Sequence, residues 1–160
     1  MIAPAAARAA VSESAVKAAF IPRFARYVTW PPAARPGGGA PMVICVIGED
    51  PFGDALNRAI AGQQVDGHGF TIKRLASAAG ASGCTIGYVA GSHTGQTLAA
   101  LGRQPILTVT DSRNSAQRGI IHFAIVNGRV RFFIDTAQAQ ARGLTVSSRL
   151  LALAIGVSQK

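Results

Sequence analysis

Apolar residues recur at three- and four-residue steps through "SESAVKAAFIPRFARYV", residues 12–28, where Val16, Phe20, Phe24 and Tyr27 fall near one face of a helical wheel. The spacing predicts an amphipathic helix. Pro22 has no amide proton and crowds the turn before it, so the helix is expected to kink there or to restart with Pro22 in its first turn. The next stretch, "WPPAARPGGGAP" at 30–41, holds four prolines and three consecutive glycines and reads as a linker or mobile loop.

Beyond it the pattern alternates. "MVICVIG" is a continuous apolar strand, 51–61 a helix, "FTIKRL" a strand, "CTIGYVA" a strand, 94–101 a helix and "PILTVT" a strand. Such alternation predicts an α/β fold: a single compact domain whose largely parallel central sheet is flanked by helices. In "IIHFAIVNGRVRFFID" the pair Asn127-Gly128 separates two apolar-rich runs, the preferred dipeptide for a type I′ turn because both positions need positive φ. A two-residue loop opposes Val126 to Arg129, Ile125 to Val130, Phe123 to Phe132 and Ile121 to Ile134. The opposite face then carries His122 across from Phe133 and Ala124 across from Arg131, a set that suits partial exposure. The sheet is therefore expected to end in a C-terminal antiparallel hairpin. A short helix in "TAQAQARGL", stopped by Gly143, and a closing helix in "SSRLLALAIG", capped by Ser147 or Ser148, complete the pattern.

Composition narrows the class. At 160 residues, with 49% hydrophobic and 14% charged side chains, the chain has the profile of a folded globular domain. A chain of this length buries about 70% of the surface its unfolded form exposes. One domain over 13–157 is expected, behind a disordered tail at 1–12. No apolar run approaches the ~20 residues that span a bilayer, so the chain reads as soluble. "MIAPAAARAA" has the small residues of a signal-peptide cleavage region without an apolar h-region, so no export signal is expected in the chain as it stands. The net charge of +9 would suit a polyanion, but the Lys and Arg residues are scattered, and one Trp and two Tyr give little to stack bases on. No nucleic-acid partner is expected; an acidic protein or an anionic membrane surface is a milder attraction.

Candidate chemistry is sparse. Gly48 and Gly53 have the spacing of a P-loop, but Asp54 and Ala55 stand where Lys and Ser/Thr should follow, and Glu49, Asp50 and Asp54 would repel phosphate. A structural turn explains more, with Asp50 as helix N-cap, Pro51 in the first helical position and Gly62 closing the helix. "AGSHTGQT" at 90–97 is a second strand-loop-helix junction whose amides can hold an anion, with His93 its only ionisable side chain. His68, His93 and His122 are isolated, neither cysteine has a partner at two to four residues, and G-x-S-x-G is absent. No catalytic residue, metal or cofactor is expected. The two cysteines, 39 residues apart, are core side chains in a reducing compartment and favour one bridge in an oxidising one. A doubly wound order 2-1-3 would make their strands neighbours, which makes the bridge geometrically conceivable.

Six segments in order, "VKAAFIPRFARYVTWP", "ICVIGEDPFGDAL", "CTIGYVA", "PILTVTDS", "GIIHFAIVNGRVRFFID" and "ARGLTVSSRLLALA", resemble the YfiR family of bacterial periplasmic regulators, from about Ala15 to Ala154. The resemblance implies a non-enzymatic inhibitor. Its members' type case binds the periplasmic part of an inner-membrane diguanylate cyclase and holds it inactive, so that release raises cyclic di-GMP. An outer-membrane lipoprotein can sequester that inhibitor, and the domain is often a homodimer. The resemblance also implies a disulfide between Cys45 and Cys84, since both fall where the family has cysteines. A second cysteine pair of the best-known member is missing here around 112–123, and Pro22 replaces an aromatic or polar residue. For the partner contact the candidates are Tyr27 and Trp30 as exposed apolar groups, with Arg23 and Arg26 on the rim. Trp30 packing the helix end onto the core is the alternative. The rival function is a small-molecule sensor that uses Asp50, Ser92 and His93 in the turns at 48–53 and 91–95.

Overall fold

The computed structural model describes residues 5–159, with side chains from residue 13 onward. Of the expected tail at 1–12, residues 1–4 lie outside the described residues, and the chain from Ala5 belongs to helix α1, Ala5–Phe24. Pro22 lies in its last turn, and the helix tightens into a 3₁₀ turn at Ala25–Tyr27. The missing amide of Pro22 and its crowding of the preceding turn account for an end so close behind it.

The short strand β1, Val28–Thr29, leads through a 3₁₀ turn at Pro32–Ala34 to β2, Met42–Gly48. Then follow α2 (Asp54–Ile60), β3 (Phe70–Leu75), β4 (Ile86–Ala90), α3 (Thr94–Leu101) and β5 (Leu107–Asp111). β6 (Ile121–Val126) and β7 (Arg129–Asp135) form the hairpin. α4 (Thr136–Ala141), β8 (Thr145–Val146), α5 (Ser148–Leu151) and β9 (Gly156–Ser158) close the chain.

The main sheet has seven strands in the order β3-β2-β4-β5-β6-β7-β9. β2 to β6 pair in parallel, β7 is antiparallel to β6, and β9 returns parallel to β7. The doubly wound order at its start is the one expected. The hairpin register is also as expected, from Val126 opposite Arg129 to Ile121 opposite Ile134, with Asn127 and Gly128 at φ 52° and 76°. Two strand pairings have no counterpart in the sequence pattern: β9, and the two-residue ribbon of β1 with β8. Both are too short to show a period, and the expected closing helix stops at Leu151 after its Ser147 cap.

Each face of the sheet has its own core. On one, α1, α2 and α4 pack over Ile44, Tyr88, Val109, Phe123 and Phe132. The ring centroids of Phe20 and Phe24 lie 5.3–6.1 Å from those of Phe123 and Phe132, so the helix face and the hairpin face join in one aromatic cluster. The buried stripe of α1 is Ala18, Ile21 and Phe24, while Val16 is 40% exposed, a rotation from the expected face. On the other face a smaller core holds Cys45, Ile47, Val89, Leu101 and Ile106 under α3.

His122, expected to be partly exposed, is buried. The reason lies in the β5–β6 connection, which crosses beside β5 without a helix. The Thr110 hydroxyl oxygen accepts from the Gly119 amide and lies 2.7 Å from His122 Nδ1, and Thr108 accepts from the Ile120 amide. Burial, reinforced by the Arg118 cation, pushes the His122 imidazole down to about 4.

Candidate functional site

In open parallel sheets the natural ligand crevice is at the carboxyl ends of the strands. Here that edge gathers the ends of β2, β4 and β5 and the first described side chains of α1. Asp111 ends β5 in full burial, and the Lys17 ammonium reaches it at 2.5 Å. The Tyr88 hydroxyl donates to the same carboxylate at 3.3 Å. Glu13, one turn before Lys17, lies 3.5 Å from its ammonium and accepts two hydrogen bonds from the Arg113 guanidinium. The Arg113 hydrogen bonds hold the Glu13 carboxyl below its usual range. Burial, with Asp111 close by, pushes the Tyr88 phenol far up, so it stays a donor. The Phe52 ring packs edge-on against Tyr88 at 4.7 Å. Side chains of the protein itself thus fill the crevice above β4 and β5 on this face.

None of Glu13, Lys17, Asp111 or Arg113 stood out in the sequence. The one available signal was the i,i+4 spacing of Glu13 and Lys17, which says nothing about a strand end a hundred residues away.

The turns at 48–53 and 91–95 do come together. β2 and β4 are neighbours, with Gly48 opposite Ala90, and a Cβ at Gly91 would lie in van der Waals contact with Glu49, 3.4 Å from its side chain. Asp50 is not the cap of α2. That helix starts four residues later, behind Gly53 at φ 52°, and Asp50 instead accepts from the Phe52 amide in an Asx turn. Its other oxygen accepts from Arg74 Nε at 2.7 Å, an ion pair between this loop and β3. Partial burial raises the Asp50 carboxyl, but the Arg74 and Phe52 hydrogen bonds outweigh it and leave it below the usual range. Ser92 and His93 are exposed at the start of α3.

At the other end of the sheet, the end of α1, β1 and the loop at 63–68 enclose a groove of about 420 Å³ lined by Arg26, Trp30, Arg35, Asp66 and His68 among others. Arg26 crosses part of it to the Gln63 side-chain oxygen. Of the two readings of Trp30, contact group or core packing, the structure shows the packed one: the side chain is only 4% exposed and its indole N–H donates to the Thr85 carbonyl at 3.1 Å, which pins the loop at 30–41 to the start of β4. Tyr27 is half-buried against the core, and Arg23 is exposed outside the groove lining. Of the four expected contact residues, the structure brings Arg26 and Trp30 together.

Cys45 and Cys84 form a disulfide with a Cα–Cα distance of 5.8 Å. It links the middle of β2 to the turn that opens β4, inside the smaller core. The 2-1-3 strand order is what brings them together. Among the described residues no cluster of three or more His, Cys, Asp or Glu side chains could hold a metal, and no helix is long and apolar enough to cross a membrane.

A doubly wound α/β domain, stapled across β2 and β4 and closed at its carboxyl edge by its first helix, defines the class. The chain belongs to the YfiR/HmsC-like family (DUF4154), which it matches over residues 14–155. No curated protein matches it. The family is one of periplasmic regulators rather than a known enzyme family, and a core disulfide fits an oxidising compartment.

Proposed function

We propose that the chain is a non-enzymatic periplasmic regulator that binds the periplasmic part of an inner-membrane diguanylate cyclase and holds it inactive. The family match over almost the whole chain carries this reading. The Cys45–Cys84 staple supports the compartment, and the filled carboxyl-edge crevice favours a protein surface over a buried small-molecule pocket. An outer-membrane lipoprotein that captures the regulator and a homodimer as its working form belong to the same proposal.

Inhibition by binding requires a preference for the cyclase's inactive state. Moving that equilibrium from mostly on to mostly off needs a ratio of about 10⁴ between the two affinities. The test is cyclic di-GMP synthesis by proteoliposomes that carry a full-length diguanylate cyclase from the same cell, with its periplasmic part facing outward. Purified protein added outside should lower synthesis at saturating GTP. Unchanged synthesis for every membrane cyclase of that cell would falsify the proposal.

A further inference from the structure

The helix layer on the face of the smaller core ends before the hairpin. That core contains residues of β2, the turn before β4, β4, α3 and the start of β5, but none from β6 or β7. Among the described residues the outward face of the hairpin, opposite the aromatic cluster, is therefore uncovered beyond His122. Val126 is 37% exposed there, with Ala124 and Phe133 beside it only half-buried.

Along β7 this face carries Arg129, Arg131 and Phe133, which alternate with the inward-facing Val130, Phe132 and Ile134. Arg118, from the β5–β6 connection, lies with its guanidinium 4.4 Å over the Phe133 ring, so the third place in the row is also a cation. Residues two apart on a strand are separated by about 7 Å. Arg129, Arg131 and the Arg118 cation over Phe133 thus follow one another along a strand face whose successive positions are about 7 Å apart, on a half-apolar floor. Among the described residues three cations have carboxylate partners, Lys17 with Asp111, Arg74 with Asp50 and Arg113 with Glu13, while others such as Arg23, Arg58 and Arg149 stand unpaired on separate surfaces. Among the described residues none of Arg118, Arg129 and Arg131 has a carboxylate within 4.0 Å. The next residue in the row, Asp135, is committed to capping α4 through the Gln138 amide.

We propose that this face docks an acidic segment of a partner protein in extended conformation, with Asp or Glu at every second position. Such a segment repeats its carboxylates at the same interval of about 7 Å, and guanidinium groups match carboxylates two hydrogen bonds at a time. The proposal rests on the reading of the chain as a partner-binding regulator and locates its surface away from the end of α1.

The probe is a fluorescein-labelled twelve-residue peptide of alternating Glu and Thr, with a peptide of six Glu followed by six Thr as control, read by fluorescence anisotropy at low salt. The alternating peptide should bind at least five-fold more tightly than the block peptide. Arg129→Glu/Arg131→Glu should weaken it more than ten-fold, and Arg58→Glu, on α2, less than two-fold. Arg129→Gln/Arg131→Gln, checked by its denaturation midpoint, repeats the measurement should the Glu pair not fold. Equal affinity for both peptides, or equal loss with Arg58→Glu, overturns the proposal. So does tighter, Arg129- and Arg131-dependent binding to phosphatidylglycerol vesicles than to the peptide, which would make the face a membrane contact. The cyclase assay separates the two readings: peptide binding without cyclase inhibition removes the regulator function alone, and inhibition without peptide binding removes this surface alone.

Discussion

Lys17 and Asp111 form an ion pair buried on both sides, and neither ion can regain water if the other is removed. Lys17→Met should cost about 3–5 kcal/mol in urea denaturation, because it leaves the buried Asp111 carboxylate with the Tyr88 hydroxyl and the Arg113 amide but no cation in contact. Lys17→Met with Asp111→Asn should recover a large part of that loss. His122 offers a second test at this scale. Its folded pKa of about 4 lies below the ordinary 6.5, so below about pH 6.5 the unfolded chain binds the extra proton first. Stability should fall as pH drops from 6.5 towards 4, by roughly 1–3 kcal/mol. His122→Gln should flatten that part of the profile, and a wild-type midpoint constant over the range would contradict the assignment.

At the scale of elements, two glycines with positive φ separate two kinds of constraint. Gly128, at φ 76° in the hairpin turn, has open space where a Cβ would sit, so Gly128→Ala carries only backbone strain of about 1 kcal/mol. Gly48, at φ 92° at the end of β2, would drive a Cβ into the Ala90 carbonyl oxygen of the neighbouring strand. Gly48→Ala should therefore cost about 3 kcal/mol or more, and denaturation midpoints of the two variants should keep that order. The hairpin register was legible because its turn dipeptide sets it locally, whereas the burial of His122 depends on the β5–β6 connection. Helix α1 was legible as a helix, but its buried face was not. Phe20 and Phe24 mark the aromatic contact, whereas Ala18 and Ile21 are selected by where the sheet lies.

For the whole molecule the disulfide closes a loop with a sequence separation of 39, worth about 4 kcal/mol in the chain-entropy account. That is a large part of the ~5–15 kcal/mol that holds a domain together. Cys45→Ala/Cys84→Ala should lower the unfolding free energy by most of that amount and remove the effect of reductant on the midpoint. A variant as stable as the oxidised wild type would show that the staple is dispensable. The bridge ties the switch in strand order, β3-β2-β4, across its central pair, and Trp30 fastens the glycine-rich loop to the same strand opening.

Local chemistry alone determined the α/β class, the order of the longer strands and helices, the hairpin register and a serine cap at 147 or 148, because periodicity, turn dipeptides and caps act over a few residues. The family pattern likewise sits in ordered short segments. Only the tertiary structure decided that Trp30 is buried, that Lys17 fills the crevice at Asp111, that Asp50 pairs with Arg74 instead of capping α2, and that three arginines share an uncovered face. Those outcomes depend on which strand ends and loops meet in space across tens of residues, and no local spacing encodes such a meeting.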